Sequence, residues 1–137
     1  NDGGALPSLA RPVRWHAGAT LGSGAQWFSW IHRDDLLELI VFVLERGDVT
    51  GALHATAPNP VRHIELMRSI AAVLGRRLLP LAVPAAVLRT ALGELAELFV
   101  DGQRVVPKSA LELGFTFRYE TIDAALRALL ARDHPAA

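Results

Sequence analysis

The chain has 137 residues, 51% of them apolar and 20% charged, which is enough for one hydrophobic core and too apolar for a disordered segment. Fourteen basic residues balance fourteen acidic ones, so the basic excess of a nucleic-acid binder is absent. No cysteine is present, which excludes a disulfide scaffold and thiolate-bound zinc and fits a reducing, cytoplasmic setting.

Residues 1–24 hold five glycines together with Pro7 and Pro12. They read as a loop with at most one hairpin, whose arms are Trp15–Ala19 and Gln26–Ile31 around a Gly22-Ser23-Gly24 turn. Trp27 to His32 is aromatic and β-branched, as a strand requires. Asp34 or Asp35 is placed to cap a helix that runs to Glu45 and is stopped by Gly47. This helix is apolar almost all round, from Leu36 to Leu44, which predicts burial inside a layered fold. The same run contains Glu38 and is far shorter than the ~18 apolar residues that span a bilayer. The start, Asn1-Asp2-Gly3-Gly4, lacks the basic and apolar regions of a signal peptide. No membrane partner is therefore expected.

Gly51–Thr56 is a short strand candidate, followed by a Pro58-Asn59-Pro60 turn. Val61, Ile64, Met67/Arg68, Ala71 and Leu74 recur at helical spacing, and Gly75 stops that helix. Leu78–Val83 suits another strand. Pro84 suits the first turn of a helix through Ala85–Leu88 that breaks near Gly93, with a second piece at Glu94–Val100. Pro107 opens a short helix ending near Gly114. Phe115 to Tyr119 alternates like an edge strand. Thr121 caps a last helix with Ile122, Ala125, Leu126, Leu129 and Leu130 on one face. The pattern is helix-rich α/β, α+β-like as an isolated piece.

Few residues offer chemistry. His32, Asp34 and Asp35 could together act as a base or metal ligand, but helix capping accounts for them better. His16, His54, His63 and His134 lack ligand spacing, so no metal is expected. Ser29 has no nucleophile-elbow context. The chain contains no catalytic Tyr-x-x-x-Lys, since Tyr119 is the sole Tyr and Lys108 the sole Lys. Gly22-x-Gly24 does not precede a helix, so no dinucleotide loop is expected. Trp15, Trp27, Phe28 and Trp30 are close enough in sequence to line a pocket. Alternation would place Trp27, Ser29 and Ile31 on one face and Phe28, Trp30 and His32 on the other. Arg104 and Lys108, after Gly102, could meet an anionic ligand group.

Several stretches, in order, resemble one known family. They are Gly3-Gly4-Ala5-Leu6-Pro7, the run Gly22 to His32 followed by Asp34-Asp35-Leu36, Ala55 to Val61, Leu79 to Pro84, Gly93 to Leu98, Gly102 to Lys108 and Gly114 to Tyr119. Together they resemble the C-terminal part of extended short-chain dehydrogenases/reductases. More narrowly, they resemble the nucleoside-diphosphate-sugar epimerase-like family with its DUF1731 C-terminal domain. The resemblance implies a Rossmann-type fold whose cofactor-binding βαβ units lie outside this chain. It implies a substrate-side segment at 1–75 and a DUF1731-like helical domain at 76–137.

It also implies NAD or NADP in the full-length protein, with neither cofactor nor catalytic residues in this part. The partners it implies are a missing N-terminal Rossmann half and a small-molecule substrate. An exposed apolar patch on the isolated piece would favour a homo-oligomer. Candidate substrate-binding residues are Gln26, Trp27, Phe28, Trp30, His32 and Arg104. The related sugar-nucleotide enzymes carry an Arg that grips the diphosphate, and Phe28 stands at its position. A phenyl ring forms no charge-assisted hydrogen bond. The alternative reading is a non-enzymatic interaction module of the cell-division-inhibitor type.

Overall fold

The computed structural model describes residues 6–84 and 102–131. In chain order the elements are α1 (Leu6–Arg14), β1 (Thr20–Leu21), β2 (Trp27–Phe28), α2 (Arg33–Glu45), β3 (Val61–Arg62), α3 (His63–Val73), β4 (Ala82–Val83), α4 (Lys108–Glu112) and α5 (Ile122–Ala131). This is a helix-rich α/β arrangement, as its composition and patterning predict. The helices expected within 85–100 fall outside the described residues.

The N-terminal region corrects the loop-and-hairpin expectation. Residues 6–14 form a helix because Leu6, Leu9, Ala10 and Val13 follow the i, i+3, i+4, i+7 spacing of one apolar face, and the last three are buried. Pro7 fits the first turn. Pro12 falls within the helix and leaves the Ser8 carbonyl without its helical N–H, and the chain leaves the helix at His16, which has φ 59°. β1 then pairs in parallel with β4, Thr20 opposite Ala82, instead of turning back on itself. β2 pairs antiparallel with β3, Trp27 opposite Arg62 and Phe28 opposite Val61. The strand expected across Trp27–His32 is thus two residues long.

One core gathers α1, α3 and α5. Leu66, Ile70 and Leu126 are fully buried there, beside Leu9, Val13 and Trp30. Each such side chain contributes about 1.5–3 kcal/mol of burial. The buried stripe of α3 is His63, Leu66, Met67, Ile70 and Ala71; of the expected face Met67 and Ala71 are buried, Val61, Ile64 and Leu74 are half-buried and Arg68 is exposed. Gly75, at φ 62°, ends that helix as expected. Thr121 caps α5, its hydroxyl accepting from the Ala124 N–H. This core draws on residues from both sides of the 75/76 boundary.

A second, smaller core sets Leu39 of α2 against Ala110, Phe115 and Phe117. Phe115 meets Phe42 and Phe117 edge-on, with ring centroids 5.3 and 4.9 Å apart, a favoured aromatic geometry. Phe115 and Phe117 are buried while Thr116 and Arg118 are exposed, so the expected alternation holds. No strand forms there, because the Arg118 and Tyr119 N–H groups donate to the Asp35 carboxylate at 2.9 and 3.0 Å.

The burial expected for α2 is also corrected. Only Asp35 and Leu39 are buried in it, and Leu37, Ile40, Val41 and Leu44 face outward. Beside this helix, Gly51–Thr56 forms no strand. Its main-chain N–H and C=O groups have no main-chain hydrogen-bond partner among the described residues.

Candidate functional site

β2 and the residues after it hold most of the candidate site. The antiparallel pairing with β3 brings the Arg62 guanidinium over the Trp27 ring, 3.8 Å from its centroid. Arg104 approaches the same ring at 5.3 Å. Trp27 therefore lies against two guanidiniums, an arrangement stabilised by the ring quadrupole. Arg62 is held in place by donating to the Ala25 carbonyl, and its own N–H donates to Glu65 at 2.7 Å.

The 102–105 segment reaches Trp27 because position 102 is glycine. A methyl group there would run into the Trp27 carbonyl oxygen. Ser29 fastens the same segment, donating to the Gln103 carbonyl at 2.8 Å and accepting from the Val105 N–H at 3.0 Å. Its hydroxyl is thereby committed to structure. Gln26 is also structural at one end, its amide donating to the Leu21 carbonyl at 2.9 Å.

Phe28, Trp30 and His32 form the other side. They line a groove of about 1050 Å³ between α1, the residues after β2, and α5. Trp30 is held by its indole N–H, which donates to the Asn59 carbonyl at 2.9 Å. Asn59 in turn donates to Glu120. His32 is 2% exposed. Its ring lies 3.8 Å from that of Tyr119, and its Nδ1 accepts from the Asp34 N–H at 3.1 Å. His32, and not Asp34 or Asp35, thus caps α2. The reason is spatial: both Asp35 oxygens are taken by the 118–119 backbone.

The structure therefore separates the predicted residues into two groups, with Gln26, Trp27 and Arg104 apart from Phe28, Trp30 and His32. Sequence reasoning missed Arg62, whose only signal is its pairing register with Trp27. It also missed α1 as a groove wall, although the 6, 9, 10, 13 spacing could have shown it. Lys108, named beside Arg104 as an anion contact, has its ammonium 3.6 Å from Glu112.

His63 is a buried titratable group outside the groove lining. Neither ring nitrogen has a hydrogen-bond partner among the described residues, and burial lowers its pKa. Among the described residues no three His, Asp or Glu side chains gather as metal ligands, and no helix is long and apolar enough to cross a membrane.

The Gly22–Gly24 turn is not the glycine-rich loop of a Rossmann unit. The Gly22–Gly24 turn joins β1 to β2, and the space a side chain at Gly24 would fill is taken by Thr20 and Ile64. A pyrophosphate-binding loop leads into a helix N-terminus, whereas this turn leads into β2.

The fold is that of the C-terminal part of a Rossmann-type epimerase. The human epimerase family protein SDR39U1 (isoform 2), solved with NADPH, superposes with a TM-score of 0.89 at 32% identity, over 96% of this chain and 44% of that one. The nucleoside-diphosphate sugar epimerase of Corynebacterium glutamicum superposes with a TM-score of 0.67 at 31% identity, over 90% of this chain and 22% of that one. In sequence, the chain is 46% identical to the chloroplastic epimerase family protein SDR39U1 homolog of Arabidopsis thaliana and 43% identical to the epimerase family protein YfhF of Bacillus subtilis. These matches cover 94% and 93% of this chain but 37% and 42% of the relatives. The chain thus spans less than half the length of these relatives. Residues 83–129 match the domain of unknown function DUF1731. The chain belongs to the nucleoside-diphosphate-sugar epimerase-like family, of which it represents the C-terminal part.

Proposed function

We propose that this chain is the substrate-binding part of an NAD(P)-dependent epimerase- or oxidoreductase-like protein of the extended short-chain dehydrogenase/reductase type, and that it is not catalytically competent alone. The observation that carries the reading is an unfinished face. The apolar residues Leu37, Ile40, Val41 and Leu44 of α2 face outward, and Gly51–Thr56, whose Leu53 packs with the inner side of α2, has a main chain unpaired among the described residues. Both are what a second layer and a neighbouring strand would complete. The partner that completes them is a cofactor-binding half, consistent with relatives more than twice this length and with the NADPH in the human relative's structure.

In this reading the substrate sits against β2. Phe28 and Trp30 supply its apolar wall, while Arg104, against the Trp27 ring, lies outside the groove lining. Phe28 in place of a phosphate-gripping Arg removes a contact of about 1.5–3 kcal/mol, so the substrate is less charged than a sugar nucleotide. A cytoplasmic location belongs to the same reading, supported by the absence of cysteine.

The test is the full-length coding sequence and its product. The reading expects a glycine-rich strand–loop–helix unit and Tyr-x-x-x-Lys upstream of Asn1. It expects NADPH fluorescence to change with the full-length protein and not with this segment alone. A natural start at Asn1, or NADPH turnover by the segment alone, overturns it. If the full-length protein binds no nicotinamide, the interaction-module alternative takes its place.

A further inference from the structure

The groove between α1, the residues after β2, and α5 has a one-sided charge. Its walls are apolar, with Leu9, Phe28, Trp30, Leu66, Leu126 and Leu129 among the lining. Among the described residues its charged lining is Arg11, Arg14 and Arg33, with no Asp or Glu. In a chain with equal numbers of acids and bases, that bias is local. Arg11 lies 5.4 Å from the Trp15 ring, which is 73% exposed. Arg33 is mostly exposed, and its nearest ion-pair contact is long, Nε to Asp34 at 3.8 Å. Apolar wall with a few convergent polar groups is the usual make-up of a small-molecule site. Guanidinium is the group suited to a planar oxyanion.

We propose that this groove binds a small amphipathic anion, an apolar body carrying a carboxylate, with the body against Phe28 and Trp30 and the carboxylate at Arg11 and Arg33. This deepens the proposed function and rests on it, since it takes the groove as a ligand site and not as a seat for the other half.

The test uses the full-length protein and three probes with one ring system, naphthoate, naphthalenemethanol and naphthylmethylammonium, measured by calorimetry. Naphthoate is expected to bind about tenfold more tightly than the alcohol, and the ammonium more weakly than either. The double variant Arg11→Gln/Arg33→Gln is expected to bring naphthoate down to the affinity of the alcohol. The alcohol's affinity and the thermal midpoint should stay unchanged. Equal binding of all three probes, binding of none, or an anion preference that survives in the double variant overturns the proposal. NADPH binding is measured on the same samples. If NADPH binds and the probes are not discriminated, only this inference fails. If NADPH does not bind, the proposed function fails with it.

Discussion

Helices α2 and α3 differ little in length, and α2 carries the longer unbroken apolar run, yet they end in opposite environments. α3 buries five residues between α1 and α5. α2 buries Asp35 and Leu39 and leaves Leu44 79% exposed. An apolar run in a helix therefore does not by itself fix how many of its residues are buried. The side around α3 is closed among the described residues, while the side around α2 leaves Leu37, Ile40, Val41 and Leu44 exposed.

The contrast can be broken first at its closed side. Ile70→Ala, at a fully buried position in α3, should cost about 3–4 kcal/mol in urea unfolding of the full-length protein. A loss under 1 kcal/mol would mean that the α1–α3–α5 core is not the one described. The next effect is expected where the two sides join. Asp35→Asn removes an oxygen from a buried carboxylate that accepts two backbone N–H groups. It should cost about 2–3 kcal/mol by the same measurement, and it should loosen the 118–119 segment in hydrogen exchange.

Gly102→Ala drives a methyl group toward the Trp27 carbonyl. It should cost about 1–3 kcal/mol, and it should quench or shift Trp27 emission as Arg104 moves away. The open side gives a conditional result. Leu44→Ser should change the stability of this segment alone by less than about 0.5 kcal/mol. In the full-length protein it should cost about 1–2 kcal/mol if α2 is covered there. Equal small effects in both would leave α2 without a cover.

The smallest effect is a pH dependence. His63 is held neutral by burial, so its pKa in the folded state lies below that of the unfolded chain, about 6.5. The unfolded state then binds the proton more readily. Stability is full above about pH 6.5 and declines as pH falls below it toward the folded pKa. Urea midpoints measured between pH 7 and 5 should fall. His63→Gln should flatten that part of the slope.

What the amino-acid order determined by itself is local. Gly75 and Gly114 stop their helices, Thr121 caps α5, and the spacing of Ile122, Ala125, Leu126 and Leu130 selects its buried face. Such signals operate within a few residues, where each group finds its partner in the same turn. α1 shows the same rule from the other side. Its apolar spacing was present, but two prolines and the surrounding glycines concealed it; Pro7 sits in the first turn, where proline costs little, and Pro12 falls shortly before the helix ends.

The tertiary structure alone decided the rest. Asp35 reads locally as a cap, but its partners lie 83 and 84 residues away. Trp27 gains two guanidiniums only because β2 pairs with β3 and because Gly102 lets another segment approach. β1 finds its neighbour in β4, far along the chain. Short strands carry too few residues for their pattern to choose a partner or a register. That choice falls to the packing of helices around them, and with it the shape and charge of the groove.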